Sequence, residues 1–109
     1  MVVAEDFNAV PDFHVVVDIT ASPPCVAVSG ELDLVTCAAF RDALAEAAEV
    51  ADDVVVVDFR RLTFLGSTGI RELVRALHSV KRVEVRSSIP IVRRALESAG
   101  LGSGVTLVD

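Results

Sequence analysis

The sequence contains neither tryptophan nor tyrosine, and its only aromatic residues are five phenylalanines. Proteins that bind single-stranded nucleic acid stack bases on aromatic side chains, whereas most of these phenylalanines fall in apolar patterns typical of a core. The net charge is −6 at pH 7, which opposes contact with a phosphate backbone. The composition therefore argues against nucleic acid as a partner.

Cysteine and histidine are scarce as well, with Cys25 and Cys37 as the two cysteines and His14 and His78 as the two histidines. Two cysteines do not make a disulfide framework, and their spacing matches no metal-binding pattern. The histidines lie far apart and without a nearby cluster of carboxylates. We therefore expect no metal or other cofactor, and two free thiols, with Cys37 facing the sheet and Cys25 facing away from Cys37.

Long hydrophobic runs are absent too, since no stretch approaches the roughly 18–20 apolar residues that span a bilayer. The chain opens with Glu5 and Asp6 close to its start, where a secretory signal would have a basic segment and an apolar core. At 109 residues, 52% of them hydrophobic, the chain suits one globular domain. We expect a single domain over residues 1–109 with a loose leader at 1–11, located in the cytoplasm and not inserted in a membrane.

Signals for strands and helices alternate along the chain. The turn at residues 21–24 predicts a hairpin of the first two strands, and the later alternation predicts parallel pairing. The sequence thus predicts an α/β fold with a mixed, mostly parallel sheet of four or five strands, packed by three to four helices. The predicted strands are 14–19, 25–29, 54–59, 82–86 and 105–108. The predicted helices begin near Thr36, Ser67 and Ser88, the last with Ser88 as N-cap and Pro90 in its first turn. The residues expected in the core are Leu44, Val55, Val57, Ile70, Leu73, Leu77, Val92 and Leu96.

The stretch 54–69, VVVVDFRRLTFLGSTG, is the most informative part of the chain. Its valines predict a buried parallel strand, and the apolar spacing after Gly69 predicts an amphipathic helix. Ser67 and Thr68 therefore lie at the start of a helix, where free backbone N–H groups and the helix dipole favour an anion such as phosphate. Serine and threonine are also preferred N-caps, so the motif has a purely structural interpretation as well.

Three separated segments resemble the STAS domain, the fold of bacterial anti-sigma factor antagonists and of the tails of sulphate transporters. Residues 29–33, SGELD, resemble the T/S-G-E-L-D loop of that family. Residues 57–69 are similar to its strand, apolar loop and D-S-S/T-G turn, and residues 90–101 resemble its closing P-x-V-x-R helix and S-G-L end. The segments occur in the family's order and at similar spacings over residues 12–109.

The resemblance implies a regulator of transcription and not an enzyme. Such antagonists bind an anti-sigma factor that is also a serine kinase, and they thereby release the sigma factor. The kinase phosphorylates the first hydroxyl residue of the turn, here Ser67, with Thr68 as the fallback; this abolishes binding, and a metal-dependent serine phosphatase restores it. The residues expected on the partner-binding surface are Glu31, Asp33, Gly66, Ser67, Thr68, Gly69 and Arg71, the last also within reach of a phosphate on Ser67.

One departure from the family pattern leaves alternatives open. The aspartate that precedes the phosphoacceptor in the family is Gly66 here, which favours a STAS adaptor that is never phosphorylated, such as a subunit of a lipid-transport ATPase complex or a signalling scaffold. A small hydrolase that uses Ser67 with His14 or His78 is a third hypothesis. The spacing of these residues gives that hypothesis no support.

Overall fold

The structure, a computed structural model, describes residues 12–87, 89–100 and 104–108. The predicted leader at 1–11 and the predicted N-cap Ser88 lie outside the described residues. Five strands and three helices follow one another along the chain. Their bounds are β1 His14–Asp18, β2 Cys25–Leu32, α1 Cys37–Val50, β3 Val54–Leu65, α2 Ser67–Ala76, β4 Arg82–Arg86, α3 Pro90–Ala99 and β5 Val105–Val108.

The strands form one five-stranded sheet in the order β1-β2-β3-β4-β5. β1 and β2 pair antiparallel as a hairpin, and every later pair is parallel. The predicted mixed, mostly parallel sheet is thus confirmed. One row of side chains crosses all of the strands in register, namely Val17, Val26, Val57, Val85 and Leu107.

The core lies between this face of the sheet and the helices. Side chains from all three helices join the strand valines in one buried cluster, among them Phe40 of α1, Leu73 of α2 and Val92 of α3. The rings of Phe40 and Phe59 have centroids 5.6 Å apart at an interplanar angle of 48°, a tilted arrangement that aromatic pairs favour. Six of the residues predicted in the core are buried, whereas Ile70 and Leu77 are only partly buried at its margin.

Alternate residues of the same strands face away from this core. Cys25 lies on that side, as its alternation with Val26 predicts, and both cysteines are free thiols. Asp58 is on this side too and accepts two hydrogen bonds from the guanidinium of Arg60, at 2.7 and 3.0 Å. These bonds lower the pKa of the Asp58 carboxyl below its ordinary value, and burial of Asp58 partly opposes the shift.

β2 and β3 both extend further than the sequence predicts. The residues expected in a loop after Ser29, and in a connection after Phe59, continue as strand and end with the pair Leu32 and Leu65. The register shifts between Ala27 and Ser29, and again after Gly30, whose φ of +96° belongs to the left-handed region. Such irregularities break the alternation of period two, so the sequence pattern ends before the strands do.

The helix ends differ from prediction by a few residues. α1 begins at Cys37 with Thr36 in the N-cap position, and α2 begins at Ser67 as predicted. The N-cap of α3 is Ile89, so this helix begins after its predicted start at Ser88, and Gly100 follows its last residue in the left-handed conformation. No helix in the described part of the chain is long and apolar enough to cross a membrane.

Candidate functional site

The β2–α1 loop and the β3–α2 turn lie side by side because β2 and β3 are parallel neighbours that end together. The backbone N–H of Gly66 donates a hydrogen bond to the carbonyl of Leu32 at 2.9 Å. A Cβ placed on Gly66 would lie 3.8 Å from the Cα of Asp33. The structure therefore brings the residues of the two motifs together at the carboxyl ends of the strands, the usual location of sites in open α/β sheets.

Ser67 is the first residue of α2, and its side chain is exposed. The N-cap position belongs to Gly66, and no side chain makes a capping hydrogen bond there. The interpretation of Ser67 or Thr68 as a cap is therefore wrong, since the strand runs straight into the helix and leaves the N-cap to the glycine. Within the described part of the chain, the Ser67 hydroxyl makes no hydrogen bond.

Thr68 is half-buried, and its backbone carbonyl faces α1. The thiol of Cys37 lies 3.7 Å from that carbonyl oxygen and 3.8 Å from Oε2 of Glu72, so it has an acceptor on each of two turns of α2. Burial raises the pKa of the Cys37 thiol, and the charge of Glu72 raises it further. The Cys37 thiol thus faces α2, and the prediction that it faces the sheet is wrong.

Glu72 is the residue in this region that the sequence gives no reason to single out. Its side chain is only 5% exposed, and Oε1 has no hydrogen bond among the described residues, with Nε of Arg75 at 3.8 Å. A glutamate in an amphipathic helix is expected to face solvent. It is buried here because α1 packs beside α2 through small residues such as Ala48 and Ala76.

The two glycines of the turn have different roles. Gly69 is buried, and a Cβ there would lie 2.8 Å from Cδ2 of Leu32 and 2.9 Å from Cδ1 of Leu65. Because it has no side chain, Gly69 lets α2 approach the ends of β2 and β3; a role in partner binding stays a prediction. Gly66 is half-exposed, and a Cβ there would lie 3.3 Å from the ring of Phe64, which has room to move.

Gly69→Ala is expected to lower the free energy of unfolding by about 1–3 kcal/mol, because the added methyl overpacks two buried leucines. Gly66→Ala is the matched control and should cost less, at most about 1 kcal/mol, because its neighbour is a half-exposed ring and the remaining cost is that of alanine at an N-cap. Urea unfolding of the two variants measures both values. Equal stabilities would show that the start of α2 is packed less closely than described.

The β2–α1 loop is held by hydrogen bonds within itself. The Asp33 carboxylate accepts from the backbone N–H of Val35 at 3.0 Å and of Thr36 at 3.2 Å. The Thr36 hydroxyl donates to the carbonyl of Glu31 at 2.8 Å and accepts from the N–H of Asp33 at 3.0 Å. Asp33, predicted as a partner-binding carboxylate, thus shapes the loop, while Glu31 is exposed.

The same loop directs apolar side chains into solvent. Leu34 is 79% exposed and Val35 is 73% exposed, and Phe64, which pairs with Glu31 in the sheet, is 43% exposed. Val35 also lines a groove of about 600 Å³ together with Glu31, the two residues that precede β1, and residues of β3. The partner-binding residues predicted from the sequence do not include these side chains. Leu34 and Val35 fit neither the alternation of β2 nor the apolar stripe of α1, and this mismatch is the sequence signal that they lie outside the core.

Of the arginines near the turn, Arg60 is bonded to Asp58, and Arg75 lies 3.8 Å from Glu72. Arg71 is exposed and makes no ion pair within the described part of the chain. It follows Ser67 by four residues on α2, which places the two on the same side of the helix. Arg71 is thus the cation placed to reach a phosphate on Ser67.

The histidines give no support to a serine hydrolase. His78 follows the C-terminal end of α2, whereas Ser67 is its first residue, and His14 begins β1. Neither histidine hydrogen-bonds Ser67. The described residues also contain no group of three or more histidine, cysteine or acidic side chains that could hold a metal ion.

Comparisons with known proteins agree with this geometry. The family model described as "Mlab, STAS domain" matches residues 15–109. The crystal structure of an anti-sigma factor antagonist from Mycobacterium paratuberculosis is similar with a TM-score of 0.79 and 27% identity, covering 93% of this chain and 90% of that one. A search of curated proteins gives no match.

Two structures of the anti-sigma factor antagonist SpoIIAA share the fold at 20% identity. The unphosphorylated form has a TM-score of 0.71 and covers 87% of this chain and 88% of that one. The phosphorylated form, described as a Bacillus cell fate determinant, has a TM-score of 0.62 and covers 87% and 91%. Both support the assignment of the five-stranded sheet and its helices.

Proposed function

Because the chain belongs to the STAS domain family, we propose that it is an anti-sigma factor antagonist switched off by phosphorylation of Ser67. In this proposal it binds an anti-sigma factor that is also a serine kinase, in the cytoplasm of a bacterium, and so releases a sigma factor. A metal-dependent serine phosphatase removes the phosphate and restores binding. In this proposal the protein acts by binding its partner and not by catalysis.

The observation that carries the proposal is the difference between the two hydroxyl residues of the turn. Ser67 is exposed and its hydroxyl has no hydrogen bond to the residues that the structure describes, whereas Thr68 is half-buried with its carbonyl against Cys37. A kinase must place the accepting oxygen in line with a nucleotide phosphate, so it needs an unobstructed side chain. This favours Ser67 as the acceptor and makes Thr68 the poorer one.

The surroundings of Ser67 explain how a phosphate would act on binding and leave the fold intact. A phosphate carries a charge of about −1.5 to −2, which the N-terminus of α2 stabilises and Arg71 can approach from one turn along the helix. The exposed carboxylate of Glu31 lies at the same end of the sheet, so the surface already carries negative charge. A partner packed over Ser67 would have to desolvate the phosphate, which makes binding unfavourable.

Gly66 favours a second candidate, an adaptor that binds a partner without being phosphorylated. The hydrogen atom of glycine cannot orient the Ser67 hydroxyl as an aspartate could, and the space beside Gly66 is closed on one side by the ring of Phe64. The adaptor would use the same surface at the ends of β2 and β3. The two candidates differ only in whether Ser67 is modified.

Capture of partners from the native bacterium, followed by incubation of the captured kinase with the protein and ATP, separates the two candidates. We expect an anti-sigma factor among the captured proteins and a single phosphate on Ser67 by mass spectrometry. Ser67→Ala should bind without being phosphorylated, and Thr68→Ala should be phosphorylated like wild type. Binding without phosphate on either residue would establish the adaptor instead.

A further inference from the structure

Exposed apolar side chains are concentrated beside Ser67. In the described part of the chain, the large apolar residues exposed to solvent are Leu34, Val35, Val50, Phe64, Val74 and Ile91. Leu34 and Val35 are the most exposed of these, at 79% and 73%, and they are adjacent in the loop beside the Ser67 turn. We name Leu34, Val35 and Phe64 the apolar cluster.

The loop cannot turn these side chains inward without losing its own hydrogen bonds. Asp33 accepts from the N–H groups of Val35 and Thr36, and Thr36 is buried with its hydroxyl bonded to Glu31. These bonds fix the backbone on both sides of Leu34 and leave the two side chains in water. A preorganised apolar pair has little conformational entropy to lose on binding, which is typical of the anchors at the centre of an interface.

We infer that the apolar cluster is the centre of the surface that binds the anti-sigma factor, and that the partner presents aliphatic or aromatic side chains to it. The inference rests on the proposed function, because it assumes that the protein that covers Ser67 also covers the apolar cluster. Phe64 supports this continuity, since it pairs with Glu31 in the sheet and its ring lies 3.3 Å from the Cβ position of Gly66. The cluster therefore adjoins the phosphoacceptor turn itself.

The roles of the two parts of the surface are different. Ser67 decides whether the partner binds, since a charge can be added there and removed again. Leu34 and Val35 decide which partner binds, because a facing surface that is charged or polar would have to desolvate its groups against two aliphatic side chains. The chemistry that recognises this antagonist is thus apolar at the centre and independent of the phosphate.

The test replaces Leu34 and Val35 with serine in the full chain and compares this variant with the same kind of replacement elsewhere. Leu34→Ser with Val35→Ser is the test variant. Val50→Ser with Ile91→Ser is the matched control, because those side chains are 50% and 48% exposed, at the end of α1 and on α3. Binding to the captured anti-sigma factor is measured by surface plasmon resonance, together with thermal unfolding and sedimentation of each protein alone.

We expect each serine in the loop to weaken binding by about tenfold and the pair by about 100-fold, mostly through faster dissociation. The control pair should bind within about threefold of wild type. Leu34→Ile with Val35→Ile keeps two aliphatic side chains and should also bind within about threefold of wild type. The thermal midpoint of the loop variant should lie close to that of wild type, since Leu34 and Val35 are mostly exposed. The control pair is half-buried, so it should unfold at a somewhat lower temperature while still binding. These results support the apolar cluster as the centre of the interface.

Four results would overturn the inference. Unchanged affinity of the loop variant would refute the role of the apolar cluster in binding. The proposed function would still stand if wild type binds in the same assay and Ser67→Glu does not. If the loop variant keeps its affinity for the partner but no longer self-associates, the cluster would belong to an interface with a second copy. If it keeps that affinity but no longer binds phosphatidylethanolamine–phosphatidylglycerol vesicles, the cluster would bind lipid. Failure of wild type to bind any anti-sigma factor would refute the proposed function and this inference together.

Discussion

Ser67→Glu is expected to weaken binding to the anti-sigma factor by about 100-fold or more while the domain stays folded. The carboxylate adds a charge at an exposed position that a partner must cover. Desolvating an unpaired charge in an interface costs several kcal/mol, which corresponds to at least this loss of affinity. Isothermal titration calorimetry with the captured partner measures the effect directly.

Stability separates this effect from a change in the fold. A negative side chain in the first turn of α2 interacts favourably with the helix dipole, so Ser67→Glu should unfold at the same temperature as wild type or slightly above it. Ser67→Ala should be within about 0.5 kcal/mol of wild type, because the serine caps nothing.

Ser98→Glu makes the same chemical change at an exposed position of α3 and serves as the control for net charge. It should bind like wild type. Equal losses for Ser67→Glu and Ser98→Glu would attribute the effect to total charge and remove Ser67 from the interface.

Phe40→Ala is expected to cost about 3–5 kcal/mol, the largest loss of stability from one truncation in the core that we predict. The ring is fully buried between α1 and the sheet and contacts Phe59, so its removal leaves a cavity between the helix layer and the sheet. The thermal midpoint should fall by at least about 12 °C, taking roughly 4 °C per kcal/mol for a domain of this size. Differential scanning calorimetry provides the measurement.

Phe64→Ala is the matched control for this truncation, since the same atoms are removed from a side chain that is 43% exposed. It should lower the midpoint by only a few degrees, while Phe40→Leu, which keeps most of the buried volume, should lie between the two. A similar loss from Phe40→Ala and Phe64→Ala would mean that the layer between α1 and the sheet is not closely packed.

The sequence was sufficient for the parts of the fold that are regular. A continuous run of valines predicted β3, alternation predicted β2 and β4, and apolar stripes predicted all three helices, because burial on one or both sides imposes these patterns. The ends of β2 and β3 were not predictable, since register shifts around Gly30 break the period that the prediction uses. Only the pairing of two strands, which is not a local property, extends them to Leu32 and Leu65.

The candidate site was predictable as a position but not as a surface. The family resemblance implied that the loop at Glu31 lies beside the turn at Ser67, and the parallel pairing of β2 with β3 brings them to the same end of the sheet. Whether an apolar residue such as Leu34 lies inside or outside depends on the bonds of its loop, which the sequence does not specify. The burial of Glu72 depends in the same way on how closely α1 approaches α2.

The most direct test of the proposed switch compares one protein before and after modification. Wild type is phosphorylated on Ser67 by the captured kinase, purified, and titrated against the anti-sigma factor before and after treatment with a metal-dependent serine phosphatase. We expect the phosphorylated form to show no measurable binding and the phosphatase-treated form to regain the affinity of the starting protein. Binding of equal strength in all three samples would contradict the account, because the phosphate would then lie outside the surface that the partner covers.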